Sequence, residues 1–289
     1  MRYAYYPGCS LEGTAKEYDL STRATFRALG IELEELPDWS CCGASSAHTT
    51  NHLLAVALPT RNLVIAEKQG LDLVAPCAAC FNRLVTAQHK MEQDARLKGK
   101  VEQVVEGEYQ GTVKVKAVLE VLATDFGVEK VREMVTKPLK GLRVASYYGC
   151  LLVRPPEVTK FDDPENPTTM DALVEASGAE AVMWPHKTEC CGGSFAFARV
   201  DIVEKLSNDI LAAAKSNGAD CIATACPLCQ ANLDMRQKAI EKQFGTTYNM
   251  PIYYITELLG LALGLEPRSL GLGTHMVESL RLLREKELA

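Results

Sequence analysis

The chain has 289 residues, 47% apolar and 24% charged, the balance of a soluble globular protein with a sizeable core in one large domain or two ordinary ones. Its formal charge is −6 with no basic cluster, so nucleic acid and anionic membrane are poor partners. No apolar run reaches the length of about 18 residues that a membrane span needs, and the opening "MRYAYYPGCS" has none of the marks of a secretion signal; a cytoplasmic protein is expected.

Residues 2–6 form a short apolar run that predicts a buried strand, with Cys9 just past its end. An amphipathic helix follows over roughly Thr14 to Leu29, with Gly30 where a C-cap glycine belongs. The next strand, "IELEELP", leads into "DWSCCGASSAHT", where Cys41 and Cys42 adjoin before Gly43. A second helix leads to the strand "LDLVAP", which delivers Cys77 and Cys80, spaced Cys-x-x-Cys, at the start of a further helix. Residues 90 to 140 begin charged and polar, then read as a connector helix, "VKVKAVLEVLATDFGVEKVREMV".

The series then starts again. A strand over 142–148 ends before Cys150, and "FDDPENPTT" at 161–169 is a surface loop. A helix over Thr168 to Ser177 stops at Gly178, the strand "EAVMWP" leads to "ECCGGSFA" with Cys190 and Cys191, and "DCIATA" delivers Cys226 and Cys229. The apolar tail "YYITELLGLALGL", Tyr253 to Leu265, reads as a core helix, with a docking helix for a partner subunit as the alternative.

Eleven cysteines in a cytoplasmic chain are not expected as disulfides. With Cys221 set aside as a core thiol, the rest fall into two sets of five in one order: a single Cys, Cys-Cys-Gly, then Cys-x-x-Cys. The gaps are 31 and 34 residues in the first set, 39 and 34 in the second. The flanks repeat as well, "RYAYYPGC" with "RVASYYGC" and "GLDLVAPCAACFNRL" with "GADCIATACPLCQANL". This is an internal duplication. Its expected division is a first cysteine module at 1–90, the connector at 91–140 and a second module at 141–289. The fold class is α/β: two pseudo-symmetric modules with mostly parallel sheets. Ligands of such sheets bind outside the carboxyl ends of the strands, where all ten cysteines fall.

Thiolates are soft ligands that select zinc, copper(I) or iron–sulfur clusters. A structural zinc takes four ligands, commonly from two Cys-x-x-Cys pairs, and each module has only one such pair. Adjacent cysteines make sense when their sulfurs bind different irons of one cluster, and the glycine after them keeps a side chain clear.

This doubled pattern, over nearly the whole chain, resembles the HdrB component of heterodisulfide reductase. The resemblance implies a noncubane four-iron cluster in each module, one held by Cys9, Cys41, Cys42, Cys77 and Cys80 and the other by Cys150, Cys190, Cys191, Cys226 and Cys229. These ten residues are then catalytic through their clusters. The reaction implied is reduction of a disulfide lying between the clusters, of the coenzyme M–coenzyme B type or another thiol pair, with one electron from each cluster. The implied partners are a ferredoxin-like iron–sulfur subunit and, through it, a flavoprotein, since this chain has no GxGxxG fingerprint after a strand. Relatives with such modules also serve fumarate, succinate and lactate oxidoreductases, and some hold zinc in one module. A non-catalytic electron-relay subunit and a zinc-stabilised module therefore stand as alternatives. His48 and His186, near the Cys-Cys-Gly turns, are candidate proton donors, and Arg83 and Lys187 candidate contacts for an anionic substrate.

Overall fold

Four short strands build the first half: β1 (Arg2–Tyr5), β2 (Glu32–Glu35), β3 (Leu73–Ala75) and β4 (Val115–Ala117). Four more build the second: β5 (Arg143–Tyr147), β6 (Glu180–Ala181), β7 (Cys221–Thr224) and β8 (Ile252–Tyr254). In this computed structural model, which describes residues 1–44 and 47–288, each half is one parallel four-stranded sheet, ordered β2-β1-β3-β4 and β6-β5-β7-β8. Ala4 registers with Leu73 in the first sheet, and Ala145 with Ile222 in the second. The inner strands are apolar and buried on both faces, as parallel strands under helices must be. Among the described residues no helix is long and apolar enough to cross a membrane.

The strand order matters for the site. From β1 the chain runs outward to β2, then returns to β3 on the other side of β1, so the connections diverge between β1 and β3. A crevice opens at the strand ends where connections part in this way. The same divergence lies between β5 and β7.

The helices that cover the sheets are α1 (Lys16–Ala28), α2 (Leu54–Gln69) and α3 (Ala78–Gln93) in the first half. In the second they are α4 (Thr169–Ala176), α5 (Val200–Ser216), α6 (Pro227–Asp234) and α7 (Ile255–Ala262). On α1 the buried residues Tyr18, Ser21, Thr22, Thr25 and Phe26 recur at helical spacing and form one face. Gly30 closes this helix at φ +72° and Gly178 closes its counterpart at +84°, a conformation that costs glycine little.

One expectation is corrected and one alternative falls away. Residues 91–140 are not only a connector helix: Val115–Ala117 forms β4 and completes the first sheet. Buried Val113, Val115 and Ala117 alternate with Lys114 and Lys116, the two-residue period of a strand, before the helix begins at Val118. The apolar tail, in turn, offers no docking helix. Its strand is β8, and every residue of α7 is buried.

Much of what buries α7 comes from the other half. It packs on α1, where Ser21 Oγ and Thr256 Oγ1 share a hydrogen bond of 2.7 Å and Thr25 Oγ1 donates to the Thr256 carbonyl at 2.8 Å. A β-carbon on Gly260 would stand 2.4 Å from Leu270 Cδ2 and 2.9 Å from Thr25 Oγ1, so glycine sets how closely α7 approaches both. Residues 118–134, which follow β4, pack reciprocally on α4. Each half thus covers the other's first helix with the helix that follows its last strand, and the halves share one core.

Candidate metal centre

Each of the ten repeated cysteines lies past the end of a parallel strand. Cys9 is exposed in the short helix after β1, and Cys41 and buried Cys42 occupy the loop after β2. Cys77 caps α3 in extended backbone, and Cys80 sits in that helix's first turn. The second half repeats this with Cys150 after β5, Cys190 and Cys191 after β6, Cys226 capping α6 and Cys229 in its first turn. Cys9, Cys80 and Cys229 thus lie in helix starts rather than in loops. All eleven cysteines are free thiols.

The contacts repeat along with the sequence. Cys42 and Cys80 sulfurs are 3.3 Å apart, Cys191 and Cys229 sulfurs 3.5 Å. Gly43 N–H donates to Cys41 Sγ at 3.4 Å, and Gly192 N–H to Cys190 Sγ at 3.3 Å. A fully buried tyrosine beneath each site pins the doubled-cysteine loop: Tyr6 donates to the Ser40 carbonyl at 2.8 Å and Tyr147 to the Glu189 carbonyl at 2.7 Å. Gly8 (φ +68°) and Gly149 (φ +65°) lie just before Cys9 and Cys150, and a β-carbon there would stand 3.1 Å from Cys80 Sγ or 3.0 Å from Cys229 Sγ.

The two sets meet. Cys77 and Cys226 face each other across the boundary between halves, and each shifts the other's acidity. The buried Cys77 thiol is raised first by Cys226. Cys226 is held well below the usual thiol range by hydrogen bonds from Cys229 and Cys77, and then by the N–H groups of Cys229 and Leu228 at the helix start. Cys42 is pushed down to about 3 by hydrogen bonds from Cys41 and Cys80, and Cys190 down to about 6 by one from Cys150. Asn82, two residues past Cys80, donates to the carbonyls of Leu151 and Arg154 at 3.0 and 2.8 Å, which ties α3 to the loop that follows Cys150.

The donor set fits an iron–sulfur group: soft sulfur throughout, thiolate favoured at Cys42, Cys190 and Cys226, and glycine cradles beside a sulfur in both halves. The sulfurs stand in touching pairs rather than around one point, and among the described residues no group of three or more His, Cys, Asp or Glu side chains is placed to hold a single metal ion. Thiolates of a multi-iron cluster bind different metal atoms and need no common point.

The other candidates divide. Cys221 is buried within β7, its sulfur 4.0 Å from the Arg143 carbonyl. Lys187 is not at a mouth: it is 3% exposed, its ammonium 2.9 Å from Asp171 and bonded to the Pro167 carbonyl. Arg83 is half-buried and pairs with no carboxylate among the described residues. His48 and His186 each carry a buried Nδ1 without a hydrogen-bond partner among the described residues. Sequence reasoning missed Tyr6, Tyr147, Gly8 and Gly149, although the repeated flanks "YPGC" and "YYGC" contain them.

The CCG cysteine-rich domain family matches residues 3–85 and 144–234. The HdrB component of a ferredoxin:CoB-CoM heterodisulfide reductase from Methanosarcina mazei is 32% identical over 98% of this chain and 96% of its own. The chain belongs to the HdrB family of heterodisulfide reductase proteins. Other relatives include the HdrB component of a ferredoxin/F(420)H(2)-dependent CoB-CoM heterodisulfide reductase from Methanosarcina acetivorans, 31% identical over 98% of this chain and 96% of the relative. A protein of Wolinella succinogenes named 8-methylmenaquinol:fumarate reductase membrane anchor subunit is 35% identical over 97% of this chain and 98% of its own. Among solved structures, a hypothetical protein of Helicobacter pylori has a TM-score of 0.75 at 12% identity, a likeness of fold alone. It covers 96% of this chain, which spans 52% of that longer one.

Proposed function

We propose that the chain is the iron–sulfur subunit of a heterodisulfide reductase-like complex and reduces a disulfide held between its two cysteine sites. Cys9, Cys41, Cys42, Cys77 and Cys80 hold one noncubane four-iron cluster, and Cys150, Cys190, Cys191, Cys226 and Cys229 the other. The observation that best supports this reading is the contact of Cys77 with Cys226, which joins the two cysteine sets across the boundary between halves. Iron–sulfur clusters supply electrons singly, and a disulfide needs two electrons and two protons to become two thiols. A duplicated module offers two one-electron sites on opposite sides of one S–S bond.

The protein's own groups hold this arrangement. Tyr6 and Tyr147 fix the doubled-cysteine loops, Gly8 and Gly149 leave room beside a sulfur, and the helix start at Cys226 favours its thiolate. The electrons come one at a time from a ferredoxin-like iron–sulfur subunit, itself reduced by a flavoprotein, with this chain as a cytoplasmic member of the complex. Membership in the HdrB family supports these partners.

A second reading is favoured by the Wolinella relative, whose name is that of a fumarate reductase subunit: the chain relays electrons and splits no disulfide. Turnover separates the two. The isolated, iron-loaded chain with an artificial one-electron reductant should convert a mixed disulfide to thiols at a rate that follows its iron content. Reduction of both sites with no thiol released would establish the relay.

A further inference from the structure

The duplication preserves the tyrosine pin, the sulfur pairs and the glycine cradles, so a departure from it beside a sulfur is informative. Three residues past the second cysteine of each Cys-x-x-Cys, the first half has Arg83 and the second Asn232. Asn232 is 3% exposed. Its Nδ2 donates to the Cys191 carbonyl at 3.2 Å and to Cys191 Sγ at 3.5 Å. Its Oδ1 accepts from Arg236 Nε at 3.3 Å, and Arg236 is anchored in turn on the Ala196 carbonyl at 2.7 Å. The amide is therefore oriented: the arginine takes its oxygen and leaves its N–H groups for the cysteine. In the first half the place of Arg236 is taken by Ala87, so this relay has no counterpart. Cys42, the corresponding sulfur of the first half, has Tyr6 and the main-chain N–H of Ala44 beside it; the one phenol hydrogen of Tyr6 goes to the Ser40 carbonyl, so Cys42 keeps a main-chain donor but no side-chain amide.

We propose that Asn232 is a positioning residue that makes the two duplicated sites electronically unequal, its amide hydrogen bond to the Cys191 sulfur raising the reduction potential of the second site alone. Reduction adds negative charge to an iron–sulfur group and to its ligand sulfurs. A donor fixed on one of those sulfurs stabilises the reduced form more than the oxidised one. Arg236 strengthens the effect, because a cation bonded to the amide oxygen polarises the N–H groups. Two sites built by duplication would otherwise accept an electron at closely similar potentials, and the amide gives them an order.

This inference rests on the reading that the second cysteine set holds an iron–sulfur group. Its test is a redox titration of the iron-loaded chain followed by electron paramagnetic resonance, with the second site identified as the signal that Cys150→Ser removes. In Asn232→Leu, similar in size but without an N–H, that signal should move to a more negative potential while the other stays in place. Asn232→His, which keeps an N–H, should restore most of the shift. An iron-replete Asn232→Leu variant with both potentials unmoved, or with both moved alike, overturns the proposal. Should the leucine variant fail to hold iron, the wild-type chain labelled with ¹⁵N-asparagine decides: pulsed resonance should detect one side-chain nitrogen coupled to the second signal and none to the first. Full iron with no such coupling overturns this proposal alone, whereas a wild-type second half without iron overturns the reading beneath it as well.

Discussion

Gly149→Ala tests the cradle beside Cys229 against a matched control. Gly149 has φ +65° and Gly245 has φ +64°, so alanine meets nearly the same backbone penalty at both, about 1–2 kcal/mol for a β-carbon in the left-handed region. The surroundings differ. At Gly245 nothing lies within 4 Å of the new carbon, whereas at Gly149 it stands 3.0 Å from Cys229 Sγ, which must give by a few tenths of an ångström. Overpacking of that kind costs roughly a further 1–3 kcal/mol. In a domain of this size each kcal/mol lowers the melting temperature by roughly 2–4 °C. Gly149→Ala should therefore melt lower than Gly245→Ala, and it alone should lose iron and the signal of the second site. Thermal unfolding, iron analysis and paramagnetic resonance on the two variants provide the assay. Equal iron content and identical spectra in both would show that the glycine before Cys150 is a turn residue with no bearing on the metal.

Cys150→Ser should abolish the second site's signal and disulfide turnover while the first site persists. Cys221→Ser, a bystander within β7, should cost roughly 1–3 kcal/mol through a buried hydroxyl without a partner and leave iron unchanged; equal iron loss in the two would mean that the sulfurs are wrongly assigned. Tyr147→Phe leaves the Glu189 carbonyl without its donor and should destabilise by about 1–3 kcal/mol, with the second site's spectrum broadened in the iron-loaded chain; an unaltered spectrum and melting temperature would remove the tyrosine from the account. His275 is 2.8 Å from Glu257 in a buried pair. Burial pulls its imidazole down, but Glu257, with Asp234 and Glu17 nearby, outweighs this and pushes it up from 6.5 to about 9. A raised histidine contributes stability that is complete below about pH 6.5 and is lost as pH rises through about 9. Burial also raises Glu257, which offsets part of that gain, so the loss should be at most roughly 3 kcal/mol. Urea unfolding from pH 6 to 10 should show this decline, and His275→Gln should flatten it; a wild-type midpoint constant over that range would refute the ion pair.

The two parallel sheets and the clustering of ten cysteines at their strand ends are readable in the sequence, because a repeat of five sulfurs in fixed order leaves little freedom. The strands β1, β3, β5 and β7 follow from apolar runs bounded by glycine and proline. What escapes is whatever depends on a distant neighbour. β4 and β8 are three residues long and become strands only by pairing with β3 and β7. An apolar helix such as α7 looks the same whether it covers a partner subunit or the other half of its own chain, and only the hydroxyls of Ser21 and Thr25 decide which. Lys187 reads as a surface cation until Asp171 closes on it. Tyr6 and Tyr147 read as strand core, and their bonds to Ser40 and Glu189 span 34 and 42 residues. Asn232 is one polar residue in a helix, and nothing in its sequence neighbourhood points to the sulfur of Cys191, 41 residues earlier.

The most direct test is the metal content of the chain purified without oxygen from a host able to assemble iron–sulfur clusters. Two five-cysteine sites, each holding a four-iron cluster, predict about eight irons per chain, with matching acid-labile sulfide. Full zinc at both modules with negligible iron, after reconstitution with iron and sulfide has been attempted, would contradict the account at its root.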